Sequence, residues 1–196
     1  MIDRDLAYAV FAEHITDQIV VTGVGSQTSA WMEVSPRPLN LYLRGPMGLA
    51  PAVGLGVALA RPDRKVVVLE GDGGMLMGLT SLASIAQCRP PNLLVICMDN
   101  GVYEAGGRGP TVNAGRTDFL QIARGLGIPK AIGVTEAGPL RTDLKELLAG
   151  DTCAFLHVSI GLRKTPWAPA IFRPTETKFR FQAALQENPG TPTLSD

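Results

Sequence analysis

Lys65-Val66-Val67-Val68-Leu69-Glu70-Gly71-Asp72-Gly73-Gly74 is the stretch on which the fold turns. An unbroken apolar run that stops at Gly-Asp-Gly reads as a strand buried on both faces, as in a parallel sheet. A second such run, Asn92-Leu93-Leu94-Val95-Ile96-Cys97-Met98, leads into Asp99-Asn100-Gly101. The residues between Gly73 and Asn100 suffice for one helix and one further parallel strand, so both strand ends meet at one sheet edge. There a carboxylate and a side-chain amide oxygen converge beside glycine N–H groups. That donor set suits a hard divalent cation holding a diphosphate.

Outward from this core, apolar strands alternate with helical patterns. Residues 3–14 predict a helix with Leu6, Val10, Phe11 and Ile15 inward. Ile19–Thr22 predicts a strand that ends in the turn Gly23-Val24-Gly25-Ser26-Gln27, and Thr28–Met32 a short helix. Asn40–Leu43 is a short strand before Arg44-Gly45-Pro46-Met47-Gly48, and Leu49–Leu59 a helix with a face of small residues. Helices are expected over Met77–Gln87, Asp118–Gly125 and Glu136–Leu148, the last capped by Thr135, and strands over Lys130–Val134 and Ala154–Ile160. Ala105–Pro110, rich in glycine, reads as a mobile loop. The alternation predicts a doubly wound α/β fold, a mainly parallel sheet with helices on both faces. Residues 1–162 form the expected domain. Residues 163–196 form a tail containing Pro166, Pro169 and Pro174, with a short helix over Glu176–Leu185.

Composition narrows the function. Eighteen Lys and Arg balance eighteen Asp and Glu, so nothing points to nucleic acid. Apolar runs are too short to span a membrane, and the N-terminus does not resemble a signal peptide. Cys88, Cys97 and Cys153 are scattered, without a CxxC pair, which suits a cytoplasmic protein and excludes a cysteine-held cluster. Cys97 reads as a core residue and His157 as a satisfied core or edge histidine. Gly23-Val24-Gly25 lacks the third glycine of a dinucleotide fingerprint, because Thr28 stands there.

Taken together, Gly71-Asp72-Gly73 through Asn100 resembles the motif of the thiamine-diphosphate (ThDP) enzymes, in their diphosphate-binding domain. Gly23–Gln27 with Trp31 resembles the first diphosphate loop of acetolactate-synthase-like members, and Arg44–Gly48 their Gly-x-Met-Gly segment. The likeness covers roughly residues 18–160, and within the family it is to the sulfopyruvate and phosphonopyruvate decarboxylases. The resemblance implies ThDP and Mg²⁺ as cofactors. It implies Asp72, Asn100 and the Val102 carbonyl as metal ligands. Gly25, Ser26, Gln27, Gly71, Gly73 and Gly74 would then cradle the diphosphate with Asn100. Gly45 would accept a hydrogen bond from the cofactor's amine, and Met47 would serve as the apolar wedge beneath it.

The cofactor acts as an electron sink in 2-oxo acid decarboxylation. The carboxylate that activates it lies, in the family, on a separate pyrimidine-binding domain. The resemblance therefore implies a hetero-oligomer with a pyrimidine-domain (alpha) subunit and a small anionic 2-oxo acid substrate, with no catalytic residue assigned in this chain. Alternatives are a carboligase subunit, the beta subunit of a 2-oxo acid:ferredoxin oxidoreductase and a noncatalytic ThDP-binding module. Three positions depart from the family pattern. Gly74 stands where Ser is common, Pro46 where a small polar residue is usual, and Gly106 where pyruvate-decarboxylase-like members carry an acid. Glu104 is the nearest carboxylate and reads as exposed. Arg108 and Arg116 are candidates to meet an anionic substrate head.

Overall fold

The computed structural model describes residues 1–115, 117–163 and 168–187; of Ala105 only the backbone is described. Pro166 and Arg116 thus lie outside the described residues. The strands are β1 (Ile19–Thr22), β2 (Asn40–Tyr42), β3 (Val66–Gly71), β4 (Leu93–Asp99), β5 (Val102–Tyr103), β6 (Gly109–Pro110), β7 (Lys130–Val134) and β8 (Ala154–Ser159). The helices are α1 (Arg4–His14), α2 (Ser26–Val34), α3 (Ala50–Ala60), α4 (Asp72–Met77), α5 (Leu79–Cys88), α6 (Phe119–Gly125), α7 (Ala137–Ala149) and α8 (Pro174–Glu187).

Six strands form one sheet in the order β2-β1-β3-β4-β8-β7, and every pairing in it is parallel. Alternate side chains of each strand feed opposite layers. Val67, Leu69, Leu94 and Ile96 join residues of α1, α2 and α7 in one core. Val66, Val68, Leu93 and Val95 join residues of α3, α5 and α6 in the other. This two-sided burial explains the unbroken apolar runs. From β1 the chain winds outward to β2, then returns across β1 to β3. The strand order therefore reverses between β1 and β3, where ligands bind in such sheets, beyond the carboxyl ends.

Several sequence expectations are corrected. The helix expected to start at Met77 begins at Asp72, directly after β3, and is broken at Gly78 into α4 and α5. Packing sets the break: a Cβ on Gly78 would lie 2.2 Å from the Gly48 carbonyl oxygen. The backbone that follows Met47 thus presses directly on the joint. Ala105–Pro110 is not a loose loop. Val102–Tyr103 pairs antiparallel with Gly109–Pro110 around a 3₁₀ turn, Glu104–Gly106. On α1 the expected inward Leu6 is 40% exposed, whereas Arg4 and Tyr8 are buried. The N-cap of α7 is Glu136, not Thr135. In the tail, α8 covers edge strand β2: Phe181 enters the core and the Arg180 guanidinium lies 5.8 Å from the Tyr42 ring centre.

Candidate functional site

Three strand ends build one cavity of about 370 Å³ at the switch point. From the end of β1 come Val24, Gly25, Ser26 and Gln27. Gly25 has φ +76°, a left-handed value that glycine adopts without strain, and it opens α2. Thr28 fixes this loop, donating from Oγ1 to the Gly23 carbonyl at 2.8 Å and sharing a 2.6 Å bond with the Thr22 hydroxyl. The residue that breaks the dinucleotide pattern therefore stitches the turn shut.

From β3 come Glu70, Gly71, Asp72, Gly73 and Gly74. Because α4 starts at Asp72, the N–H groups of its first turn have no partner within the helix. Gly71 and Gly73 keep the walls thin. A Cβ on Gly71 would meet the Gln27 amide at 2.5 Å, and one on Gly73 the Tyr103 ring at 2.6 Å and Met47 Cε at 3.3 Å. Met47 thus lines the cavity beside Gly73. Gly45, with φ +120°, is exposed and is not among the cavity-lining residues.

From β4 and the hairpin come Asn100, Val102, Tyr103, Glu104 and Gly106. Asp72 is buried and accepts a 2.8 Å hydrogen bond from Thr111 at Oδ2. Burial raises its pKa; the Thr111 bond opposes this and the Asp99 charge adds to it. Asp99 is the opposite case. Burial acts to raise it, but the hydrogen bond and charge of His157 outweigh that, leaving its pKa lowered. His157 Nε2 lies 2.9 Å from Asp99 Oδ2, Asn113 Nδ2 donates to Asp99 Oδ1 at 2.9 Å, and Asn100 Oδ1 accepts from the Val102 N–H at 3.0 Å. His157 is the satisfied histidine that the strand pattern suggested. Thr111, Asn113 and His157 hold the site from behind, and the sequence reading assigned them no such role.

Two further carboxylates on the wall were misread or missed. Glu70 is 2% exposed, accepts the Gly71 N–H at Oε1 (3.0 Å), and has no hydrogen-bond partner at Oε2 among the described residues. It fills the space that side chains on Gly23 and Gly74 would need. Burial pushes its pKa up to about 7. Glu104 is not an exposed loop acid: its side chain is 8% exposed and it is ion-paired with Arg4. Arg108 is exposed and absent from the lining residues.

The donor set fits a hard cation. Asp72 offers a buried carboxylate, Asn100 an amide oxygen on the same cavity, and Val102 a backbone carbonyl. Glycine-thinned walls leave room for a diphosphate against backbone N–H groups. Residues 23–158 match the family described as thiamine pyrophosphate enzyme, C-terminal TPP binding domain. The chain belongs to this family. It is 32% identical over 179 residues to the sulfopyruvate decarboxylase subunit beta of Methanococcus maripaludis, covering 91% of this chain and 95% of that one. It is 34% identical to the phosphonopyruvate decarboxylase of Streptomyces viridochromogenes, covering 94% of this chain and 46% of the relative. Among solved structures, the Rhodococcus jostii 4-hydroxybenzoylformate decarboxylase superposes with a TM-score of 0.70 at 27% identity, over 83% of this chain and 33% of that one. The chain thus spans nearly all of a beta subunit and about half or less of the longer relatives. Among the described residues no helix is long and apolar enough to cross a membrane.

Proposed function

We propose that this chain is the diphosphate-binding subunit of a ThDP- and Mg²⁺-dependent 2-oxo acid decarboxylase that works with a separate pyrimidine-domain subunit. The observation that carries the reading is the convergence of Asp72, Asn100 and the glycine turns of β1 and β3 on one cavity at the switch point. The near full-length match to a beta subunit supports the two-chain arrangement. Asp72, Asn100 and the Val102 carbonyl hold Mg²⁺ in this reading. Gly25, Ser26, Gln27, Gly73 and Gly74 hold the diphosphate, and Met47 supports the rings. When bound, ThDP supplies a carbon nucleophile and an electron sink for the 2-oxo acid.

The role of this chain is binding and orientation. Thr111 keeps an Asp72 oxygen fixed, and Met47 and Tyr103 give the cavity an apolar wall beside Gly73. Among the described residues the cavity lining holds Glu70, Asp72 and Glu104 but no Lys or Arg. Arg108, exposed and outside this lining, is not placed to meet a sulfonate or phosphonate head there.

The test is reconstitution. This chain, its candidate partner, Mg²⁺ and ThDP are mixed, and CO₂ release is followed from sulfopyruvate, phosphonopyruvate, pyruvate and benzoylformate. Activity is expected only with both chains and is abolished by Asp72→Ala. Full turnover by this chain alone sinks the two-chain reading, and unchanged turnover in Asp72→Ala sinks the metal assignment.

A further inference from the structure

Arg4 opens α1, yet it is 2% exposed. Its Nη1 donates to Glu104 Oε2 across one hundred residues of sequence. Tyr8, one turn further along α1 and fully buried, places its hydroxyl beside this pair. Glu104 begins the 3₁₀ turn Glu104–Gly106, and both end residues of that turn line the cavity. Just before it stand Val102, the candidate carbonyl ligand, and Tyr103, whose ring lies against Gly73.

The backbone of this segment is otherwise tied to itself. The Val102 N–H donates to Asn100 Oδ1, the Tyr103 carbonyl accepts from Arg108, and the Gly101 carbonyl accepts from Thr111. A two-residue hairpin with local bonds is weak alone. The Arg4–Glu104 pair instead runs to a helix packed in the core by Ala7, Val10 and Phe11. A buried ion pair adds little net stability compared with well-packed apolar side chains, so stability alone does not explain this one.

We infer that Arg4 is a positioning residue for the cofactor cavity, anchoring Glu104 so that the Val102 carbonyl and Tyr103 are held against Gly73. The link to cofactor binding rests on the function proposed above; the anchor itself does not. Removing one partner leaves a buried charge uncompensated, whereas removing both relieves that cost. The double variant Arg4→Met/Glu104→Gln thus separates stability from positioning.

Its urea midpoint is expected to recover towards wild type relative to Arg4→Met alone. Peptide-resolved hydrogen exchange without ligand is expected to be about tenfold faster over residues 101–106, with β4 protection unchanged. Affinity for ThDP with Mg²⁺ is expected to fall about 10-fold or more, as for lost supports behind a metal site. Arg4→Lys, which keeps the charge, restores part of the exchange protection and serves if the double variant does not fold. Wild-type exchange rates over 101–106 in the double variant, or in Arg4→Lys and Arg4→Met alike, overturn the inference. If the wild-type chain binds no ThDP with its partner and Mg²⁺, the proposed function fails, while the exchange comparison still decides the anchor.

Discussion

Gly74→Ala tests whether Glu70 dictates the glycine at that position. An added Cβ lies 2.3 Å from Glu70 Oε1 and 2.6 Å from Cδ, far inside the 3.4 Å at which ordinary contact begins. The carboxyl has little room to retreat. A Cβ on Gly23 would lie 2.0 Å from the same oxygen, and the Gly71 N–H holds it. The remaining exit is into the cavity, where a carboxylate opposes a diphosphate. Overpacking of this kind costs about 1–3 kcal/mol. Gly74 is helical, so alanine returns up to about 1 kcal/mol of helix preference. The net expectation is a loss of about 0–3 kcal/mol.

In a Glu70→Ala background the obstruction is gone, and the same Gly74→Ala change stabilises by up to about 1 kcal/mol. The coupling between the two positions is then on the order of 1–3 kcal/mol, with a change of sign in the favourable case. Urea unfolding of the four proteins at one pH measures it. Independent sites add within about 0.5 kcal/mol, so a coupling that small refutes the reasoning.

Three further outcomes are expected. Gly78→Ala sets a Cβ 2.2 Å from the Gly48 carbonyl oxygen, backbone against backbone, and should lose stability at the upper end of about 1–3 kcal/mol; a denaturation midpoint equal to wild type contradicts it. Glu70 is raised by burial from 4.5 to about 7, so the folded ligand-free chain binds its proton more tightly than the unfolded one. Its contribution to stability is fully present below pH 4.5 and is lost as pH rises through about 7. Relative to Glu70→Gln, wild-type stability should therefore fall across that window by on the order of 3 kcal/mol, and parallel pH profiles would rule this out. Thr111→Val removes the 2.8 Å bond to Asp72 and should raise the Mg²⁺ concentration needed for ThDP binding by about 10–100-fold; an unchanged Mg²⁺ titration shows that Asp72 needs no such support.

Much of this molecule was legible in its sequence because parallel strands buried on both faces leave long apolar runs that stop where the chain turns. Asp72 and Asn100 were legible for the same reason, each standing just past such a run. What was not legible depended on contacts distant in sequence. Arg4 at a helix start reads as solvated, and its partner is Glu104. Glu70 stands at a strand end, and part of the space it fills is left by Gly23, from the turn after β1. The helix break at Gly78 follows from the Gly48 backbone. The hairpin of Val102–Tyr103 with Gly109–Pro110 is too short to print a period, so glycine content alone suggested mobility.

Two of these features, Glu70 and Glu104, share one cavity with Asp72. Glu70, Asp72 and Glu104 are largely buried carboxylates on one cavity, and among the described residues Glu70 Oε2 and Glu104 Oε1 have no hydrogen-bond partner. Buried polar groups are ordinarily paired, and the exceptions gather at functional sites. A cation against Asp72 favours its charged form, which burial and Asp99 now oppose. The isolated chain therefore holds its site in a state that ligand improves, and binding to the folded state alone stabilises by about 2.7 kcal/mol at a hundredfold excess over Kd. Added Mg²⁺ and ThDP should raise the unfolding midpoint of the assembled wild-type protein, with that gain lost in Asp72→Ala. A gain retained in Asp72→Ala places the ligand elsewhere than the ends of β3 and β4.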